Sequence, residues 1–402
     1  MITKRQLTSW RPKGIIQWLL TALSVVMILI NVMVIYPFPI TYTMSIISMM
    51  GLVGTLALYT PWFLVILTVF NIALLILATW KKARIAQFIL IPLLLLNIFL
   101  NVEPIIKMEN YAKSENVSVS LNTHFFNNAK ISSTFTQDVV YEKTTDGIEL
   151  KLDVWPAHAS SKTALNPAVI NVHGGGWVEG DKNSAPHWNQ YLSELGYTVF
   201  DVQYRMPPHA EWKDEVGDVK SAIGWVVEHA DTYKIDPTKI NLMGQSAGGN
   251  LAMLAAYSMG NEELSASTNV APTPINSVIN IYGPTDMTKF YQGSPSPDYV
   301  QNVMKEYIGG TPSQFPDRFK KLSPINYIGE HTPPTITFLG MDDRIVPIEQ
   351  AKILDTALSK NNVPHELYLL PHADHIYDGT PGNLNTQVTF EKVKMFLEKY
   401  NK

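Results

Sequence analysis

The chain carries a serine placed where a nucleophile would be expected. Gly244-Gln245-Ser246-Ala247-Gly248 follows the apolar run Ile240–Met243 and precedes a helical stretch from Gly249. A serine on a sharp strand-to-helix turn presents its Oγ above a sheet edge. That turn is strained and needs small residues on both sides. The following helix N-terminus favours developing negative charge. A simple glycine-rich turn would use the same residues, but the strand–turn–helix context favours the nucleophile. His173-Gly174-Gly175-Gly176-Trp177 closes a second apolar run, Ala168–Val172. Three glycines let backbone N–H groups converge on one point, as the oxyanion of an acyl transfer requires. We assign the N–H groups of Gly175 and Gly176, with that of Ala247, to such a hole. A phosphate loop is disfavoured, because neither G-x-G-x-x-G nor G-K-[ST] occurs. His173 itself is expected to pack and hydrogen-bond beneath the loop rather than act as a base.

A serine nucleophile needs a base, and the base an orienting acid. On such a turn they follow in the order acid, then histidine, each on a loop after a late strand. Thr335–Leu339 is followed by Gly340-Met341-Asp342-Asp343-Arg344, and Glu366–Leu370 by Pro371-His372-Ala373-Asp374-His375. Spacing alone leaves Asp342 and Asp343, and His372 and His375, as alternatives. A metal cluster at His372–His375 lacks a third ligand motif, and the chain has no cysteine to supply thiolate ligands or a thiol nucleophile.

These residues demand a scaffold of strands alternating with helices, and from about residue 138 the pattern supplies one. Strands are expected at 138–144, 148–155, Ala168–Val172, Thr198–Gln203, Lys239–Met243, Ser277–Ile281, Thr335–Leu339 and Glu366–Leu370. The first two should form a hairpin through Thr145-Asp146-Gly147. Helices are expected near 187–195, Lys213–Tyr233, Gly249–Met259, 299–307, Ile348–Lys360 and Phe390–Tyr400. Residues 284–334, rich in proline, are either surface packing or a cap over a pocket. Trp177, Tyr204 and Tyr282 stand near strand ends and are candidates to line that pocket. Asp214, Glu215 and Asp218 are read as capping and solvated charges of a helix start.

Five ordered motifs together resemble the α/β-hydrolase esterase/lipase superfamily: H-G-G-G-W, G-Q-S-A-G-G-N, S-P-I-N-Y at Ser323–Tyr327, D-x-x-V-P at Asp343–Pro347 and the late histidine loop. The hormone-sensitive-lipase-like esterases and the acetylxylan/feruloyl-esterase-like (BD-FAE-like) group are the most similar. The resemblance covers roughly residues 138–400. The usual D-Y-R segment reads Asp201-Val202-Gln203-Tyr204-Arg205 here, and Leu339 stands where many members have histidine. The resemblance implies an α/β-hydrolase fold with a mostly parallel eight-stranded sheet and a catalytic triad of Ser246, Asp343 and His375. It further implies cleavage of carboxylic esters, short-chain or acetyl, with no metal or cofactor. A serine peptidase or amidase on the same scaffold, or an inactive membrane sensor, is the alternative.

The N-terminal quarter differs in kind. Residues 1–102 hold seven of the 31 Lys/Arg and none of the 35 Asp/Glu, and the 67 residues between Lys13 and Lys81 are uncharged. A span uses about 20 residues, so this region predicts three or four transmembrane helices over 1–105. A signal peptide, with an apolar stretch of only about 7–15 residues, does not account for it. Breaks fall at Tyr36-Pro37-Phe38-Pro39 and Tyr59-Thr60-Pro61-Trp62. Four spans leave the Lys81–Arg84 cluster opposite the N-terminus and weakly favour a cytoplasmic catalytic domain; if Thr41–Thr55 is re-entrant or interfacial, three spans put all seven bases on one side and export that domain, the cleaner charge pattern. Residues 106–137 are expected as a solvated linker and 138–402 as the hydrolase domain. The acidic bulk of the chain disfavours nucleic acid as a partner. A bilayer and a small-molecule, lipid or polysaccharide ester are the expected partners.

Overall fold

The computed structural model describes residues 10–127, 131–158 and 165–401. Lys4 and Arg5 of the charge count, and residues 128–130 of the expected linker, lie outside the described residues.

Runs of β-branched and aliphatic residues that are buried on both faces form the centre of a parallel sheet. The eight strands are β1 (Thr136–Lys143), β2 (Glu149–Trp155), β3 (Asn166–Val172), β4 (Thr198–Val202), β5 (Ile235–Gln245), β6 (Ser277–Ile281), β7 (Thr335–Gly340) and β8 (His365–Leu370). They lie in the order β1-β2-β4-β3-β5-β6-β7-β8. The β1–β2 and β2–β4 pairs are antiparallel, and the rest are parallel. This is an α/β-hydrolase sheet, as expected. All the parallel strands end at one edge. There Val172 pairs with Gly244 and Gln245 with Ile281, so the glycine-rich loop and the serine turn emerge side by side.

The N-terminal region forms α1 (Ile15–Ile35), α2 (Ile46–Tyr59), α3 (Pro61–Trp80) and α4 (Arg84–Ser114). Three of these, α1, α3 and α4, are long and apolar enough to cross a membrane, with mean hydropathies of 2.5, 2.5 and 2.2. They share a small core that includes Leu20, Met27, Leu74 and Leu90, while Ile66, Phe88 and Leu95 are exposed. α2 is apolar but only 14 residues long, about 21 Å at 1.5 Å per residue, short of a ~30 Å hydrocarbon core.

The expected solvated linker is instead docked in part. Met108, Ala112 and Val117 are buried in the same core as the sheet, and Lys392 pairs with Glu115 at 3.1 Å. The docked face begins before 114–136, at Met108 and Ala112 four residues apart on α4, and the polar composition of 114–136 hid only its continuation at Val117. A short helix, α5 (Leu121–Phe126), follows.

The crossover helices are α6 (Pro186–Glu194), α7 (Asp214–Glu228), α8 (Ala230–Tyr233) and α9 (Ala247–Tyr257). Residues 284–334 fold as α10 (Met287–Gly293), α11 (Pro297–Ile308) and α12 (Pro316–Lys321), and α13 (Glu349–Lys360) and α14 (Leu384–Tyr400) complete the layers. The start of α7 departs from expectation. Glu215 and Asp218 are fully buried rather than solvated. Asp218 accepts from Arg205 at 2.6 Å, and burial pushes the Glu215 carboxyl well above the carboxylate range.

Candidate active site

Ser246 has φ 54° and ψ −120° at the N-terminus of α9, a backbone state that costs energy for a residue with a Cβ. Its amide donates to the Ile281 carbonyl at 2.9 Å, locking the turn to the next strand. The turn exists because its neighbours are glycines. A Cβ on Gly244 would lie 2.1 Å from the Gly248 oxygen, and one on Gly248 would lie 2.0 Å from the Val172 oxygen.

Ser246 Oγ lies 2.9 Å from His375 Nε2, and His375 Nδ1 lies 2.9 Å from Asp343 Oδ2. A carboxylate only accepts, so Nδ1 carries the proton and Nε2 is free to accept from the serine. Asp343 Oδ1 accepts from the Ile345 and Val346 amides, each at 2.8 Å, which fixes the carboxylate plane. Burial works against the His375 imidazolium, but the charge and hydrogen bond of Asp343, joined by Asp374 and Asp378, outweigh it and raise its pKa. Asp342 and His372 point elsewhere. His372 Nδ1 stands 3.6 Å from Asp342, and its Nε2 stands 3.1 Å from Glu103 on α4.

Gly174, Gly175 and Gly176 line the same cavity as Ser246 and His375. Gly175 has φ 123° and Gly176 φ 60°. The Gly175 carbonyl accepts from the Val178 and Glu179 amides at 3.1 and 3.0 Å, which holds the loop in its curl. A Cβ on Gly175 would sit 1.8 Å from the Glu179 oxygen, so this position admits glycine alone. Ala247 is buried directly after Ser246, at the first position of α9. His173 lies under the loop, as expected. Its Nδ1 is 2.7 Å from the Gly174 oxygen, and burial lowers its pKa to about 4.

The cavity measures about 400 Å³, and the helices of 284–334 wall it with Phe290, Tyr299, Val300 and Val303. Trp177 and Tyr282 are among its lining residues. Trp177 stacks on Tyr307 at 5.1 Å, whereas Tyr282 packs at 4.6 Å on the His375 ring and donates to Asp378 at 2.5 Å. Tyr204 is not among the lining residues, which corrects its expected place. Its ring stacks 4.3 Å from His173 and its hydroxyl donates to the His173 carbonyl at 3.0 Å. Tyr204 follows β4, beside β3, and its side chain turns under the glycine loop rather than over it.

Several residues around the site escaped sequence reasoning. Asp378, a buried cavity residue, accepts from both Tyr282 and the Trp188 indole. Arg344 and Asp374 form a buried ion pair beside the acid and base. No local motif marks them; Arg344 stands inside the D-x-x-V-P segment at a position where the pattern admits any residue.

Residues 152–358 match the BD-FAE family profile. The chain is 28% identical over 245 residues to "Probable carboxylic ester hydrolase LipM" of Mycobacterium tuberculosis, covering 60% of this chain and 57% of that protein. It is 31% identical over 267 residues to "Esterase LipQ" of the same organism, covering 65% and 62%. The chain therefore spans only about three fifths of these curated relatives. Among solved structures, a truncated carbohydrate esterase from gut microbiota superposes with a TM-score of 0.58 at 25% identity, covering 71% of this chain and 99% of that one. The propionate-bound esterase Est2 of Thermogutta terrifontis gives 0.55 at 26% identity, covering 68% and 96%. With its matched segment spanning half of its length, and with this sheet and these neighbours, the chain belongs to the BD-FAE family within the α/β-hydrolase fold.

Proposed function

We propose that this protein is a membrane-anchored serine hydrolase that cleaves carboxylic esters of short acyl chains. One observation carries the reading: the hydrogen-bonded series Ser246–His375–Asp343 opens into a mostly apolar cavity beside the glycine loop. Ser246 Oγ attacks the ester carbonyl while its proton passes to His375 Nε2. Asp343 holds the imidazole tautomer and stabilises the imidazolium. The N–H groups of Gly175, Gly176 and Ala247 receive the oxyanion. His375 returns the proton to the leaving alcohol, and water activated by the same imidazole releases the acyl group. Trp177, Phe290 and Val303 supply the apolar wall, and about 400 Å³ suits a short acyl group with its alcohol. The test is p-nitrophenyl acetate, butyrate and longer-chain ester turnover by the full chain in detergent, with Ser246→Ala alongside. Turnover confined to wild type and falling with chain length supports the reading; equal rates for Ser246→Ala overturn it.

A second reading, an amidase or peptidase, is favoured by 28% identity over 247 residues to the acylamino-acid-releasing enzyme of Mus musculus. Hydrolysis of acylaminoacyl anilides but not of esters would select it.

The arrangement of the N-terminal helices supports an exported domain. Gln17 Nε2 donates to the Lys81 carbonyl at 2.8 Å, so the start of α1 adjoins the α3–α4 turn. The opposite ends reach the hydrolase: the Ile40 amide donates to Ser296, and the Thr380 hydroxyl donates to the Tyr59 carbonyl. Arg11, Lys13, Lys81, Lys82 and Arg84 thus gather at the far end, which the positive-inside bias makes cytoplasmic. Protease accessibility of the catalytic domain in intact cells tests this sidedness.

A further inference from the structure

We propose that Arg344 is a positioning residue through which the short helix α2 holds the acid and base loops in register, making the N-terminal helices part of the working active site. The proposal rests on the serine-hydrolase reading above.

Arg344 directly follows Asp343, and Asp374 directly precedes His375. The Arg344 amide and Nε donate to Asp374 at 2.9 and 2.6 Å, and a second guanidinium nitrogen completes the pair. The same Asp374 Oδ1 accepts the His375 amide at 2.7 Å. The pair therefore ties the loop of the acid to the loop of the base, and both side chains are buried.

The rest of the guanidinium is spent on the membrane region. Nη1 donates to the carbonyls of Phe38 and Gly51, each at 3.2 Å, and Nη2 donates to the Thr55 hydroxyl. α2 is built to receive it. Ser48, Gly51, Gly54 and Ala57 form its buried face, while Ile47, Leu52 and Leu56 are exposed. A Cβ on Gly51 would stand 3.2 Å from the Phe38 oxygen, and one on Gly54 would stand 2.9 Å from the Met33 oxygen. A bulkier face would hold the helix away from the guanidinium.

Two further bonds act on the same loops. The Ile40 amide donates to Ser296 Oγ at 2.8 Å, and Ser296 Oγ donates to the Arg344 carbonyl at 2.7 Å. Thr380, five residues beyond His375, donates to the Tyr59 carbonyl at the end of α2 at 2.8 Å. Withdrawing α2 would leave buried guanidinium donors without acceptors, a costly state that the loops can relieve only by moving.

His375 is faced by the carboxylates of Asp343, Asp374 and Asp378 and by the Tyr282 ring, and Tyr59 of α2 lies near Asp343 and Asp374. Arg344 opposes the Asp374 charge. Removing it lets Asp374 favour the imidazolium more strongly, so the acid limb of the pH–rate profile moves to higher pH.

The test uses the full chain in nanodiscs with p-nitrophenyl butyrate. Arg344→Ala should lower kcat roughly tenfold to hundredfold, with KM little changed, and should raise the acid limb. Arg344→Lys should return the limb but only part of kcat, because an ammonium supplies the charge without the planar fork. Thr55→Val, which keeps the side-chain shape and the buried ion pair, should lower kcat in the same sense by a smaller factor. It decides the matter alone if Arg344→Ala does not fold. Wild-type kcat and pH limb in both Arg344→Ala and Thr55→Val overturn the proposal, as does a wild-type kcat for Thr55→Val when Arg344→Ala cannot be obtained. Ser246→Ala, run in parallel, separates the two levels: if it is as active as wild type, the hydrolase reading falls and this one with it.

Discussion

Gly248 lies so close beneath Val172 that a Cβ on the glycine would stand 2.0 Å from the valine carbonyl oxygen. The contact joins the first turn of α9 to the end of β3 and sets how far Ser246 rises above the sheet. Gly248→Ala must push the helix off the sheet, at a cost of about 3 kcal/mol or more. The midpoint of thermal unfolding of the full chain in detergent should drop by several degrees. Gly293→Ala, where nothing lies within 4 Å, should leave it nearly unchanged.

Asp343→Asn keeps the size of the acid but removes its charge and can present an N–H to His375. The imidazole then favours the wrong tautomer, and kcat should fall by about 10³–10⁴-fold. Steady-state ester hydrolysis checks the loss, and slow but complete fluorophosphonate labelling of Ser246 would show that the serine survives.

The pH dependence has a definite sign. In the proposed mechanism His375 acts as a base only when neutral, and its pKa is raised above the ordinary 6.5 by Asp343, Asp374 and Asp378 acting against burial. kcat/KM should therefore fall as pH drops through a limb lying above 6.5, and Asp378→Asn should move that limb down. A pH–rate profile of the free enzyme measures both.

Asp201 gives a stability counterpart. Burial raises its carboxyl from 3.8 to about 7, against the hydrogen bonds from the Asn183 amide and Asn189. A raised folded pKa stabilises the fold below the unfolded value, and that contribution is lost as pH rises through the folded one. The stability of wild type relative to Asp201→Asn should therefore decline between about pH 4 and 7. Chemical unfolding of the two proteins at both pH values tests the difference.

What could be read ahead of the structure followed from local rules. The eight strands and the order of serine, acid and histidine depend on apolar runs and turn glycines that are contiguous in the chain. The choice of Asp343 over Asp342 is of another kind: spacing leaves the two neighbours equivalent, only the resemblance of the D-x-x-V-P segment separates them, and it is the packing of β8 beside β7 that sends one to His375 and the other towards His372. Tyr204 shows the same limit, since the direction of a side chain beyond a strand end depends on the loop above it. The links from Arg344 to Phe38, Gly51 and Thr55 join residues some 300 positions apart. No spacing or composition encodes such contacts. Glu215 and Asp218 went astray because a charged pair at a helix start looks alike whether solvated or buried.

The helices that wall the cavity are not free of the Asp343 loop. Ser294 Oγ donates to the Ile345 carbonyl and Ser296 Oγ to that of Arg344, each at 2.7 Å, so the corner between α10 and α11 is fastened to the loop that carries Asp343. This fastening divides the routes by which the enzyme could evolve a new substrate. Changes at Phe290 or Val303 reshape the wall while the fastening stays in place, and selection can explore them one at a time. Under the proposed function, changes at 294–296 would alter pocket and turnover together, so a lineage that shifts its specificity there would have to repair its catalysis in the same step.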